Sequence, residues 1–439
     1  MLLWYNKNMK TIVALATPAG NSGVAIIRIS GEKSKEILQK LIKEDLDFEP
    51  RKMYLKNVYF SEIVDKCLIV FFANPMSFTG EDVAEIHSHG GYYLAQQIIQ
   101  QCVDLGCSLA EAGEFSKRAF INGKMSIDQA EGIMDLINAE SEMQAKAGSS
   151  LMQGKLKEKI EEYQNIITEI LAEIEAKLDY PEYEYTESET SNIKEKLNHL
   201  VDEFSSLISE SKSGLMIKNG IKVAIVGAPN VGKSSLLNAL TKSDKAIVTN
   251  IAGTTRDIVE AEYEFNGIIF RLFDTAGIHE SDDIVEKIGI DKALKTLDDA
   301  DLVLKVSSPD DICEISTEKP FIEVFNKTDV LKEKRDKKYF YISATNNENI
   351  DALKQEIFNK TISGNLKSDK LYLTNTRHID AVKNARESLK NIVEIFDFTT
   401  MDIVSSEIKT AWNYLGEISG VTSDEAIIDK IFSKFCLGK

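Results

Sequence analysis

The chain is predicted to be a multidomain α/β protein: an N-terminal α+β domain, then a helical domain into which a second, mostly parallel and doubly wound α/β domain is inserted. Three features of the sequence carry this. Apolar strand-like runs mix with helical stretches over residues 11–120. An almost unbroken helical pattern runs from Ser126 to Leu178. Residues 221–362 alternate apolar strands with helices, and helical periodicity returns after Leu373.

In chain order, TIVALATP, VAIIRIS and CLIVFFANP read as strands of the first domain, with helices near Ser34–Lys43 and Tyr92–Leu105. The stretch QAEGIMDLINAESEMQAKAGSSLMQGKLKEKIEEYQNIITEILAEIEAKL carries apolar residues at threes and fours with charge between. Pro181 and the acidic run after it break the pattern, and another amphipathic helix is expected over 190–210. KVAIVG, IIFRLFD, DLVLKVSS, FIEVFNK and KYFYI are the strands of the inserted domain. The closing helical tail lacks a core of its own and is expected to pack back onto residues 125–210. The expected domains are therefore 1–120, 121–213, 214–368 and 369–439.

Length and composition bound the rest. A chain of 439 residues exceeds one typical core. An apolar content of 43% with only 7 prolines argues for folded, helix-rich domains. The formal charge of −18 argues against a large non-specific affinity for polyanions, so a nucleic acid would need a local basic patch or a partner protein. Five cysteines without CxxC or metal-ligand spacing point to reduced thiols in a cytoplasmic protein. No apolar run reaches the roughly 18 residues of a membrane span. The opening MLLWYNKNMK is a poor signal peptide, and Met9 is as good a starting methionine as Met1.

VAIVGAPNVGKSSLLNAL joins an apolar strand, Gly227-xxxx-Gly232-Lys233-Ser234 and an amphipathic helix. Glycines there let backbone amides wrap phosphates, so Asn230, Val231, Gly232, Lys233, Ser234 and Ser235 form a nucleotide-binding loop. Lys233 would reach the β- and γ-phosphates and the Ser234 hydroxyl would ligate Mg²⁺. Asp274, Thr275, Ala276 and Gly277 follow a strand; Asp274 suits the magnesium shell and the Gly277 amide the γ-phosphate. In Asn326-Lys327-Thr328-Asp329 the last carboxylate can accept the paired N–H donors of guanine, which adenine lacks. Ser343, Ala344 and Thr345 suit a backbone contact to guanine O6. Four motifs in order, each at a strand end, make a GTP site and the inserted domain a Ras-like P-loop GTPase domain.

Ile278 stands where Ras-type switches carry a water-orienting glutamine. The loop Thr249, Asn250, Ile251, Ala252, Gly253, Thr254, Thr255 offers compensation, with Thr255 completing the Mg²⁺ shell. A potassium ion between Asn230 and carbonyls of residues 249–254 would offset phosphate charge as an arginine finger does elsewhere. The plain alternative is that Asn230 caps the following helix or braces the loop. For the water, Glu280, Asp282, Asp283 and Glu286 are available carboxylates.

GAPNVGKSSLLNAL, IAGTTRD, DTAGIHE-x4-VEKIG and the terminal FCLGK together resemble the MnmE/TrmE tRNA-modification GTPases. TIVALATPAGNSGVAIIRISG, PMSFTGEDVAEIHSHGG and GEFSKRAFINGKMSIDQAE resemble that family's N-terminal region, so the likeness spans Thr11 to Lys439. It implies a potassium-stimulated GTPase that, with a FAD-containing flavoprotein partner of the MnmG/GidA type, modifies the wobble uridine of certain tRNAs. It further implies a homodimer, a heterotetramer with the partner, tRNA contact largely through that partner, and a 5-formyl- or methylene-tetrahydrofolate donor bound by the N-terminal domain. Carried over residue by residue, Asn230, Thr249, Ile251 and Thr254 would surround K⁺, and Glu286 would orient the water. Arg28, Glu85, Lys124 and Lys439 would bind folate, and Cys436 would lie nearby with a role in the modification.

Taken alone, those four charged residues are ordinary surface ion-pair members, and Cys436 an ordinary buried thiol. Its position four from the end suggests prenylation, but Gly and Lys fit that signal poorly. Glu85, His87 and His89 share a strand face, which mimics a metal site without a further ligand cluster. A competing reading is a GTP-dependent ribosome-assembly or regulatory switch, which leaves the N-terminal domain and FCLGK unexplained.

Overall fold

A computed structural model describes residues 9–179, 186–242, 261–274, 297–330, 336–362 and 370–438. These fall into two compact units, one of residues 1–134, 157–161 and 413–439, the other of 135–156 and 162–412.

The first unit is built on a six-stranded sheet of order β3-β4-β5-β2-β1-β6. Its strands are β1 (Ile12–Leu15), β2 (Val24–Ser30), β3 (Met53–Phe60), β4 (Ile63–Phe72), β5 (Val83–His89) and β6 (Ser108–Leu109). All neighbours are antiparallel except β1 and β6. Helices α1 (Ser34–Ile42) and α2 (Tyr92–Asp104) cover one face. That face buries Val13, Ile27, Ile29, Cys67, Ile69 and Ile86, the alternate residues of each strand, against Ile37, Leu38 and Ile98. The other face is open over β3 and β4, where Met53, Leu55, Val64 and Leu68 are exposed. Beside β1 it is covered by α3 (Glu114–Ile121), whose Phe115 packs with Ile12, Ala14 and Phe78.

Helices α4 (Ile127–Ile137), α5 (Glu142–Met152), α6 (Lys155–Leu178) and α7 (Glu187–Asn219) realise the long helical pattern. The helix expected over 190–210 is longer at both ends. Thr186 and Glu189 form a reciprocal capping box at its start. At the other end Met216 and Ile217 are buried in the core of the second sheet, so tertiary packing carries the helix past the amphipathic pattern.

The second sheet has the order β12-β11-β10-β7-β9-β8. It comprises β7 (Ile221–Val226), β8 (Ala261–Phe265), β9 (Ile268–Asp274), β10 (Leu302–Ser307), β11 (Phe321–Phe325) and β12 (Phe340–Tyr341). Only the β8–β9 pair is antiparallel. Helices α8 (Lys233–Thr241) and α9 (Ile350–Thr361) belong to this layer, as the doubly wound pattern predicts.

Of the tail, α10 (Thr376–Ile395) lies along α7, as expected. α11 (Met401–Ser419) follows. The final helix α12 (Glu425–Phe432) departs from the expectation of packing onto residues 125–210 alone. It also meets α3, and Phe432 and Phe435 bury against Phe120, Met125 and Ala130. The reason is chemical: FCLGK begins with an aromatic that has a ready apolar socket in the N-terminal unit.

Candidate functional site

The described residues of the nucleotide motifs lie at the carboxyl ends of strands of the second sheet. Strands β9, β7, β10, β11 and β12 run parallel, so their carboxyl ends lie together, and with them Asp274 and the described residues that follow β7, β11 and β12. β7 stands between β9 and β10, where the strand order reverses, and in such sheets ligands bind at that crevice. The loop after β7 reaches α8 through Gly232, whose φ is 95° and whose added Cβ would fall 2.3 Å from Asn326 Nδ2. Only glycine fits there. Gly232 is also the N-cap of α8 and supplies no side-chain cap, leaving that turn's amides for an anion. Asn230 therefore does not cap the helix; it is exposed with φ 64°.

Asn326 is a clasp. It is 3% exposed; its Nδ2 donates to Val231 O at 3.0 Å and its Oδ1 accepts from Ala344 N at 3.0 Å. One side chain thus joins the phosphate loop to the Ser343–Thr345 loop, and the Ala344 amide is engaged by it. Ser343 Oγ donates to Asp329 Oδ1 at 2.7 Å, orienting the exposed carboxylate expected to read guanine. Lys327 adopts φ 63° and pairs with Asp310 at 3.4 Å.

Lys233 Nζ donates to Gly227 O at 2.8 Å and Ala228 O at 3.1 Å, so its ammonium lies over the loop. Asp274 ends β9 beside β7. Its Oδ1 is buried with no hydrogen-bond partner among the described residues. Burial raises its pKa, and the Lys233 charge opposes that shift. A buried carboxylate oxygen without a hydrogen-bond partner among the described residues, within reach of the Lys233 charge, fits a hard divalent cation with oxygen ligands. Thr249, Asn250, Ile251, Ala252, Gly253, Thr254, Thr255, Thr275, Ala276, Gly277 and Glu286 lie outside the described residues, as does Lys439.

In the N-terminal unit, Arg28 on β2 and Glu85 on β5 are register partners. Arg28 Nε donates to Glu85 Oε1 at 2.8 Å, and both side chains are largely buried. The guanidinium lies between two rings, 5.6 Å from the Phe78 centroid and 5.8 Å from that of Phe115. Its Nη1 reaches Gly438 O at 3.4 Å, and Gly113 N donates to Cys436 O at 3.4 Å, so the C-terminal segment passes this site. Cys436 is exposed, which corrects the buried-thiol reading: Phe435 fills the socket and the next side chain points away from it. Lys124 packs its aliphatic stem beside Gly80. His87 Nε2 lies 3.3 Å from Glu85 Oε2, whereas His89 Nδ1 turns to Asp65 Oδ1 at 2.5 Å. The three residues of the mimicked metal site therefore do not converge. Sequence reasoning missed Phe78, Phe115 and the Asn326 clasp; two aromatics flanking FTGED and EFSKR were the available signal for the first two.

Two family models match the chain. One described as "GTP-binding protein TrmE N-terminus" matches residues 11–124, and one described as "MnmE helical domain" matches 127–436. A tRNA modification GTPase MnmE of Francisella tularensis subsp. holarctica is 39% identical over 448 residues, covering 98% of this chain and 99% of that protein. The protein of the same name from Clostridioides difficile strain 630 is 37% identical over 454 residues, again covering 98% and 99%. Among solved structures, the G domain of the FeoB iron transporter of T. maritima is 32% identical, covering 32% of this chain and 99% of that one, with a TM-score of 0.26.

Proposed function

The chain belongs to the MnmE family, and on that premise we propose that it is a potassium-stimulated GTP hydrolase acting in tRNA modification. With a FAD-containing flavoprotein partner it modifies C5 of the wobble uridine of certain tRNAs, using a one-carbon unit from a tetrahydrofolate. The observation that carries the GTP part is that Lys233, Ser234, Asp274, Asn326, Asp329 and Ser343 all lie at or just beyond the carboxyl ends of the parallel strands of the second sheet. The division into domains 1–120, 121–213, 214–368 and 369–439 belongs to the same reading, supported by the separate cores of the two sheets.

In this reading Lys233 and the first amides of α8 hold the phosphates. Asp329, steadied by Ser343, accepts from the guanine N–H pair, while Asn326 fixes the distance between phosphate and base loops. Mg²⁺, held by Ser234 and Thr255 with Asp274 in its shell, would neutralise charge on the phosphates. K⁺ beside Asn230, with Thr249, Ile251 and Thr254, would add positive charge where an arginine finger acts in other GTPases. Glu286 takes the water-orienting task that Ile278 cannot perform.

At the N-terminal site Glu85 offers a carboxylate for a pterin's adjacent N–H groups, and Arg28 orients it through the 2.8 Å bond. Lys124 and Lys439 are cations for the glutamyl tail. The open face bearing Met53, Leu55, Val64 and Leu68 suits a homodimer contact, and the charge of −18 favours tRNA contact chiefly through the partner. A cytoplasmic location fits, and among the described residues no helix is long and apolar enough to cross a membrane.

The test is GTP turnover in KCl against equal NaCl, with Glu286→Ala beside the parent. Faster turnover in KCl, and its loss in the variant, are expected. Equal rates in both salts would remove the potassium role, and an unimpaired variant would remove Glu286.

A further inference from the structure

Arg118 is the most buried guanidinium of the N-terminal unit, 3% exposed, and nothing in the GTP site uses it. All its nitrogens are engaged. Nη1 donates to Glu81 Oε2 at 3.0 Å and Oε1 at 3.2 Å; Nη2 donates to Glu114 Oε1 at 2.7 Å and Lys10 O at 2.9 Å; Nε also reaches Glu114 Oε1 at 3.3 Å. Glu81 in turn accepts from Ser30 Oγ at 2.7 Å, two residues beyond Arg28 on the same strand. Ser30 Oγ also meets Thr79 Oγ1 at 2.8 Å, and Asn122 Nδ2 donates to Thr79 O at 2.7 Å.

These bonds tie together the two elements that wall Arg28. Phe78 belongs to the loop carrying Thr79 and Glu81; Phe115 belongs to the helix carrying Glu114 and Arg118. The same loop touches Lys124: Gly80 has φ 77°, and a Cβ there would fall 3.1 Å from Lys124 Cε and 3.1 Å from Asn122 Cβ. We infer that Arg118 and Glu81 are positioning residues of the N-terminal ligand site, holding both aromatic walls and the Lys124 stem in place for a pterin-bearing ligand. This rests on the folate reading given above. A planar fork is required because a lysine ammonium cannot address Glu81, Glu114 and the Lys10 carbonyl in those directions at once. The carboxylates compensate the buried charge, which alone would be costly.

The experiment is calorimetric titration of 5-formyltetrahydrofolate into the full-length protein and into Arg118→Lys, Glu81→Ala and Glu81→Gln, with circular dichroism and a thermal scan of each variant as the control for folding and GTP turnover as the control for the separate nucleotide-binding unit. Affinity is expected to fall about tenfold or more in Arg118→Lys and Glu81→Ala, since small displacements of a site's supports are costly. Glu81→Gln, which keeps one oxygen for Ser30 and Arg118 but loses the charge opposite the guanidinium, is expected to fall between the parent and Glu81→Ala. GTP turnover should hold in all. Should Arg118→Lys not fold, the two Glu81 variants decide. Parent-like affinity in Arg118→Lys and Glu81→Ala would overturn the inference while leaving the folate reading standing. No binding to the parent would overturn the folate reading, and this inference with it.

Discussion

Replacing Asn326 by alanine removes the clasp between the phosphate and base loops. The side chain makes two hydrogen bonds, both to backbone groups in buried surroundings: Val231 is 1% exposed and Ala344 8%. Each neutral bond contributes about 1 kcal/mol net, and a buried group left without a partner costs about 1–3 kcal/mol. Water entering the space vacated by the amide would meet part of that need. A loss of about 2–4 kcal/mol follows, or about thirtyfold to a thousandfold in guanine-nucleotide affinity if it falls on the binding conformation. Fluorescence titration with a labelled GDP measures it, with Gly232→Ala as a second route to the same contact, because its Cβ would displace Asn326 Nδ2. Affinity within about threefold of the parent in Asn326→Ala would show that the clasp does not hold the binding conformation, since such a change is worth less than one hydrogen bond.

Three other outcomes are expected. Asp329→Asn should move preference from GTP to xanthosine triphosphate, because an amide restores the donor that the altered base needs; competition binding with the two nucleotides decides it. Asp274→Asn should lower turnover about a hundredfold yet raise the Tm of the nucleotide-free protein at neutral pH. The sign follows from burial raising the Asp274 pKa: the favourable contribution belongs to the protonated form and is lost as pH rises through the folded value, so the stability gain should shrink in acid. For Glu189, the hydrogen bond from Lys177 and those from Thr186 hold the carboxyl at about 2. Its capping contribution is present above the ordinary carboxylate value of 4.5 and lost as pH falls toward 2. Glu189→Gln should therefore lower Tm slightly at neutral pH, with the difference narrowing over that window in thermal scans.

Strong, local signals were legible in the sequence. The phosphate loop, Asp274 and the strand ends bearing Asn326 and Ser343 follow from apolar runs closed by glycine or polar residues, and the parallel sheet sets them side by side. β8 went unnamed although Asn266-Gly267, with φ 51° and 80°, marks a tight hairpin before IIFRLFD. Its alternation, AEYEF, is too short to stand out. β3 was also missed, because its outward face carries Met53 and Leu55, which blurs the alternation of a half-buried strand. Contacts between distant residues were beyond reach. Arg118 to Glu81 spans 37 positions, and Arg28 to Gly438 spans 410. Nothing in the local pattern distinguishes Arg118, a buried and fully engaged guanidinium, from the neighbouring Lys117 on the same helix.

GTP hydrolysis at this site serves tRNA modification. The most direct test is nucleoside mass spectrometry of tRNA from cells lacking this chain, complemented with the parent or with Asp329→Asn. The modified wobble uridine should disappear without the chain, return with the parent and fail to return with the variant. An unchanged nucleoside profile in the deleted cells would contradict it.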